Sequence, residues 1–247
     1  MTRAASAAAG ANPITFTRAG VRRGFIAAQP LGIGVLVYGI TFGLLALGSG
    51  LSVADALLMS ATVYSASAQV AAVSALSQGA GLVLCVTTVV LLNARYLLYG
   101  ATLRPWLGAV PPAASYGSLY ILGDGNWLLS MRAHEAGEND AGYVLGSGFA
   151  TFLPWLAGTL LGGAVGHWIP GPRTLGLDFL LVAFCAAMMV GMLRTRAGVW
   201  PALAAFAAAA AADRWAPPGW AVVVAGVAGA AVAGWRHGAA PRSPAAA

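Results

Sequence analysis

A chain of 247 residues that is 59% hydrophobic and only 8% charged, with a mean hydropathy of +0.78, is not an ordinary soluble domain, since those carry about 25% charged residues. A net charge of +6 would point to nucleic acid in a soluble protein, but all thirteen basic residues are arginines, set mostly between long apolar runs, where they orient a membrane protein. The length suits one bundle of spanning helices, and nucleic acid is not an expected partner.

Residues 1–24 carry Arg3, Arg18, Arg22 and Arg23 without an apolar run, and they read as a disordered cytoplasmic tail. The first long apolar run, 25–47, exceeds a signal-peptide core and is expected to remain as a helix. Further runs follow at 54–76, 81–103, 114–131, 142–169, 175–193, 199–212 and 220–235. A helix needs about 20 residues to cross a bilayer, so the fold class is all-α: a polytopic membrane helix bundle of seven to eight transmembrane segments. The transmembrane domain covers 25–235, and 236–247 form a cytoplasmic C-terminal tail.

Turn residues separate the runs at Gly48-Ser49-Gly50, Ser77-Gln78-Gly79, Pro111-Pro112, Pro170-Gly171-Pro172 and Pro217-Pro218-Gly219. Ser52-Val53-Ala54-Asp55 has capping-box spacing for the second helix. Pro154 is expected to kink the long fifth segment. The last two segments are short and read as tilted spans or a re-entrant hairpin. A weak internal echo pairs Gly32-Ile33-Gly34 and Asp55 with Gly146-Ser147-Gly148 and Asp178, both acids reading as helix caps.

Arginine counting bears on the weakly hydrophobic fourth segment. If it crosses, Arg3, Arg18, Arg22, Arg23, Arg132, Arg194, Arg196, Arg236 and Arg242 share one side, against Arg104, Arg173 and Arg214. If it alone does not cross, the split becomes even. Arginine excess marks the cytoplasmic side, so crossing is expected, with both termini in the cytoplasm.

Polar residues break the apolar background in three clusters, and polar groups at membrane depth usually face a protein interior or a water path. Tyr64, Ser65, Ser67 and Gln69 crowd into the second segment. They read either as interhelical glue or as a substrate path, where the Gln69 amide offers both donor and acceptor. Arg95, flanked by Asn93 and Tyr96, would cost about 2.5–3.5 kcal/mol if unpaired mid-membrane. It either snorkels toward the Arg104 end, pairs with a buried acid, or binds a carboxylate. The natural acid is Asp124 in Gly123-Asp124-Gly125-Asn126, a sequence that looks like a helix break of the kind that binds substrates. Cys85 and Cys185 read as small buried hydrophobes. His134, His167 and His237 lack metal spacing, and no phosphate loop, nucleophile motif or dinucleotide fingerprint appears. No enzyme activity and no cofactor is expected.

These residues carry a resemblance. Tyr64-Ser65-Ala66-Ser67-Ala68-Gln69 resembles the second-helix motif of AzlC-type branched-chain amino acid permeases. The run from Asn93-Ala94-Arg95-Tyr96 to Thr102-Leu103 is similar to that family's third-helix signature, and Leu175-Gly176-Leu177-Asp178-Phe179 to the start of its sixth helix. Two positions depart from the family pattern: Gly125 stands where an acid is usual, and Tyr96 where His is frequent. The resemblance implies a bacterial inner-membrane permease subunit that exports leucine, isoleucine or valine with a very small AzlD-type membrane partner. Tyr64, Ser65, Ser67, Gln69, Asn93, Arg95, Tyr96, Asp124 and Asn126 are the expected substrate-binding residues. The alternatives are a permease for another small solute, or a scaffold subunit that does not transport.

Overall fold

The computed structural model describes residues 13–166, 196–215 and 220–238, and within them helices are joined by short turns, with one isolated bridge between Thr15 and Asp140. The sixth segment, with Asp178 and Cys185, lies outside the described residues, as do the Pro170 and Pro217 turns and His167.

Helix α1 spans Arg18–Ala27 and begins where Thr17, in extended conformation, accepts a hydrogen bond from the Gly20 N–H at 3.1 Å. That is an N-cap, so residues 18–24, expected to be part of a disordered tail, form a capped helix instead. Helix α2 follows at Gln29–Gly48, and α9 at Gly142–Gly166 continues through Pro154 as a single helix. Glycines hold these helices against each other. A Cβ at Gly24 would collide with the Tyr143 carbonyl, one at Gly32 with that of Ala150, and one at Gly39 would lie 2.6 Å from that of Trp155. The facing glycines Gly146, Gly158 and Gly162 are equally tight against the carbonyls of Val21, Leu36 and Ile40. Numbers on both sides rise together, so α1–α2 runs parallel to α9. Small residues permit this backbone approach in membrane bundles.

The second segment is two helices, α3 (Val53–Val63) and α4 (Ala66–Ser77), separated at Tyr64 and Ser65. They fold back on each other. Gln69 of α4 donates to Ser60 of α3 at 3.1 Å, although nine residues of continuous helix would hold them about 13 Å apart. Val73 packs in the same cluster as Ala56, Phe42 and Ala46. The segment therefore enters and leaves the bundle at one end, that of the α2 C-terminus. Ser52 and Asp55 close the expected capping box at its start.

The fourth segment repeats this from the opposite end. Helix α7 (Pro112–Tyr120) climbs to residues 121–123, and α8 (Asp124–Glu135) descends antiparallel to α9, with Ser130 facing Ser147 at 3.3 Å. Neither the second nor the fourth segment passes through, which corrects the single crossings expected of both. Arms of 9 to 12 residues reach about 14–18 Å at 1.5 Å per residue, half of a ~30 Å hydrocarbon core.

The third segment does pass through. Helix α5 (Leu82–Asn93) runs antiparallel to α4, with Cys85 against Ala72. Ala94 stays in helical geometry, and α6 (Arg95–Leu107) goes on to pack Leu103, Trp106 and Leu107 against Ala141, Tyr143 and Val144. Gln29–Gly48, Leu82–Leu107 and Gly142–Gly166 are the described stretches long and apolar enough to cross a membrane. Because α6 ends beside α8 and the start of α9, Arg104 joins Arg18, Arg22, Arg23 and Arg132 at one end of the bundle, and is not on the opposite side as expected.

The last two segments form an antiparallel pair, α10 (Arg196–Trp215) and α11 (Trp220–Gly238), with Arg236 over the Trp200 ring. At 20 and 19 residues they are longer than the expected 14 and 16, because residues 196–198 and 213–215 continue the first helix, and 236–238 the second, beyond the apolar runs. Trp220 starts α11 beside residues 79–84.

Candidate functional site

The two hairpin tips meet halfway along the bundle, and the middle of α5–α6 joins them. At the first tip, Tyr64 adopts φ +40°, a left-handed conformation uncommon for a bulky residue. Its hydroxyl donates to Thr151 of α9 at 2.9 Å and its ring meets Phe152 edge-on. These contacts over-determine a backbone that turns the chain between α3 and α4.

Arg95 reaches both tips. Its Nη2 donates to Ser65 Oγ at 3.2 Å and Ser67 Oγ at 3.0 Å, and its Nη1 lies 3.2 Å from Asp124 Oδ2. Tyr99, one turn along α6, donates to Asp124 Oδ1 at 3.1 Å and stacks on Trp127. Tyr96 donates to the Tyr64 carbonyl at 3.5 Å and lies under the Arg95 guanidinium. The charge pair thus forms between the middle of one helix and the tip of a hairpin. It is 30% and 41% exposed at its two side chains, open to a cavity and not sealed in the core.

That cavity measures about 220 Å³, below the ~300–1,000 Å³ of drug-sized ligand pockets. Polar residues of the two tips and of α6 form one wall: Ser65, Ser67, Arg95, Tyr96, Asp124 and Asn126. Leu31, Val35 and Tyr38 of α2 form another, and Thr151 and Trp155 of α9 complete it. Within the wall, Asn126 Oδ1 accepts the Gly123 N–H at 2.6 Å, while Asn126 Nδ2 and Trp155 Nε1 are buried donors without an acceptor.

Of the nine residues expected from the sequence, Tyr64, Ser65, Ser67, Arg95, Tyr96, Asp124 and Asn126 line this cavity. Gln69 and Asn93 do not. Gln69 is fully buried behind the first tip, where its amide accepts from the Ser65 N–H at 3.2 Å and donates to Ser60, which in turn bonds Thr159. Both ends of the amide are engaged within the fold, behind the cavity wall. Asn93 Oδ1 is buried without a partner outside the wall. Sequence reasoning missed Tyr99, although it stands four residues from Arg95 on the same helical face. The α2 and α9 contributions carried no polar-cluster signal. Among the described residues no group of His, Cys, Asp or Glu could hold a metal ion.

A second polar cluster sits at the arginine-rich end. Asp140 accepts from the Thr17 N–H at 3.0 Å, from the Gly142 N–H at 3.0 Å and from the Thr17 hydroxyl, and lies 3.6 Å from Arg23. Arg23 also makes a two-point contact with Glu138 at 2.9 and 3.0 Å. Burial pushes the Asp140 carboxyl up, but the Thr17 and Gly142 hydrogen bonds and Arg23 outweigh it, and the net shift is downward. The hydrogen bond from Arg23 likewise holds Glu138 below its usual range. This is a clamp that ties α1 to the start of α9.

The family described as AzlC protein matches residues 30–169, more than half of the chain. Two curated relatives, each described as an uncharacterized membrane protein, come from Helicobacter pylori strains J99 and 26695. They are 27% and 26% identical over 151 residues, which is 61% of this chain and 66% of each relative. The chain therefore spans somewhat less than two thirds of the length of these relatives. No solved structure matches.

Proposed function

Because this chain belongs to the AzlC family, we propose that it is the large subunit of a secondary transporter that exports branched-chain or similar small apolar amino acids, working with a small AzlD-type membrane subunit. The observation that carries this reading is the cavity between two hairpin tips that arrive from opposite ends of the bundle. One polar wall suits a zwitterionic head, and the wall of Leu31 and Val35 suits a branched side chain. A transporter needs a central site reached alternately from each side, and the succession of a span and a hairpin, then an oppositely directed span and hairpin, supports an inverted-repeat design.

The arginine-rich end is the cytoplasmic one in a bacterial inner membrane. Trp220 starts α11 beside residues 79–84, at the end opposite the arginines, so α11 returns toward the arginine-rich end and both termini then lie in the cytoplasm. Arg95 is a latch shared by the two tips: a substrate that competes for its donors frees one tip from the other. Asp124 is the group on which an ion gradient acts. Discrimination by one methylene amounts to about 1–3 kcal/mol, so leucine, isoleucine, valine and methionine are all expected substrates.

The test is to load cells with dipeptides of these residues, with and without the chain and its small partner, and to follow intracellular amino acids. Expression should lower at least one of the four pools. An unchanged pool for all four would remove the substrate assignment.

A further inference from the structure

In a re-entrant hairpin only the second arm begins at the tip, and here both second arms begin in the cavity wall. Ser65, Ala66 and Ser67 open α4, and Gly123, Asp124, Gly125 and Asn126 open α8; all of them line the cavity. The carbonyl-bearing ends of the first arms, residues 60–63 of α3 and 117–120 of α7, do not. No side chain caps α4, since the Ser65 hydroxyl accepts from Arg95 instead, and the α8 cap position is a glycine. The Ser65 and Gly123 N–H groups are taken by Gln69 Oε1 and Asn126 Oδ1, and the N–H groups of the first turns, 66–68 and 124–126, are left to the cavity.

The charge balance points the same way. Arg95 and Asp124 neutralise each other, and no second acid lines the cavity. Each helix N-terminus carries roughly half a positive charge, and the α3 and α7 residues that bear the opposite charge lie behind the lining apart from Tyr64, so the face turned to the cavity is positive. An independent observation adds to this. Asn126 is 1% exposed and Trp155 3%, both line the cavity, and each has a buried N–H without an acceptor. Every unfilled polar group named here is a donor, which is what an anion requires.

Resting on the reading that the cavity holds a small amino acid, we infer that its carboxylate is the recognised end, held by the N-termini of α4 and α8 together with Asn126 Nδ2 and Trp155 Nε1. The side chain then lies toward Leu31 and Val35. The Arg95–Asp124 pair stays closed beneath the carboxylate until it competes for Arg95.

The inference is tested on the full chain in lipid nanodiscs, with and without the small partner, by measuring the binding of leucine, 4-methylpentanoate and leucinamide. The second ligand keeps the carboxylate and lacks the amine; the third keeps the amine and lacks the carboxylate. Leucinamide is expected to bind at least about tenfold more weakly than 4-methylpentanoate. Leucine binding with leucinamide equal to or tighter than 4-methylpentanoate overturns the carboxylate assignment and leaves the amino-acid reading standing. Failure of leucine itself to bind overturns both. The near-isosteric Asn126→Asp variant keeps the acceptor for the Gly123 N–H but sets a negative charge in the wall. It should weaken leucine and 4-methylpentanoate by about tenfold or more, spare leucinamide, and leave the melting temperature close to that of the parent. Equal weakening of all three ligands would count against the inference.

Discussion

Helix α9 is held in two different ways along its two sides. Toward α1–α2 the contact is backbone on backbone, with glycines on both helices and no room for a methyl group. Toward the hairpins the contact includes discrete hydroxyl bonds: Ser147 to Ser130, Thr151 to Tyr64 and Thr159 to Ser60. Interhelical bonds of that kind contribute about 0.6 kcal/mol each in membrane proteins, whereas a glycine seam cannot be opened or shifted without losing its packing along its whole length. The seam is therefore the more rigid side, the frame, although Gly148 against Ile121 and Gly163 against Val53 bring the hairpins close as well. The cavity lies on the hydroxyl-bonded side.

Breaking the frame should have the largest effect. Gly146→Leu drives a side chain into the Val21 carbonyl, where no rotamer relieves the clash because the obstacle is backbone. Overpacking costs about 1–3 kcal/mol when side chains can yield, and here they cannot. The variant is expected to lose monodisperse folded protein in detergent, as judged by size-exclusion chromatography, and export should vanish with it. The same substitution at Gly34, which meets nothing within 4 Å, should be tolerated.

Breaking the hydroxyl-bonded side should separate export from folding. Arg95→Ala removes the link to Ser65, Ser67 and Asp124 together. Removing one partner of a buried pair costs about 3–5 kcal/mol, and this pair, 30% and 41% exposed, should cost less. Export is expected to fall by at least about tenfold, the effect of 1.4 kcal/mol, while the protein still purifies as a single species. Arg95→Ala combined with Asp124→Asn should recover part of the lost thermal stability and none of the export. Full export in the single variant would mean that the pair is scaffolding.

The frame and the site were legible in the sequence to different degrees. The apolar runs marked nearly every helix, and the polar clusters marked the cavity, because charge and amide groups at membrane depth need partners wherever they lie. The hairpins were not legible. An apolar segment of 23 residues at 54–76 has the length of a crossing, and what folds it back is the left-handed Tyr64, an aromatic residue at a position where Gly or Asn would have given a signal. At 114–131, Gly123 did announce a break, but a break within a crossing and the tip of a hairpin have the same local sequence. Arg104 held the missing clue: as an exception on the wrong side of a count, it marked a topology with one crossing too many before it.

The smallest expected effect concerns the end of the frame, where Asp140 ties α1 to α9 at Thr17 and Arg23. Its carboxyl, like that of Glu138, is held below the usual value, which is about 3.9 for Asp and 4.3 for Glu. A depressed carboxyl contributes stability that is fully present above the unfolded value and is lost as pH falls through the folded one. Thermal melting should therefore be flat from neutral pH down to about pH 5 on account of this clamp, and should decline below that. Asp140→Asn keeps one acceptor oxygen but loses the charge. At neutral pH it should lower the melting temperature by several degrees, as expected for hydrogen bonds to a charged group worth about 1.5–3 kcal/mol. It should also flatten the acid limb, which a purely steric defect would not do. Export by this variant at neutral pH should stay near that of the parent, because the clamp belongs to the frame and touches neither hairpin tip. A loss of export without a loss of stability would mean that α1 moves during transport, and the division between a rigid frame and a hydroxyl-bonded side would have to be redrawn.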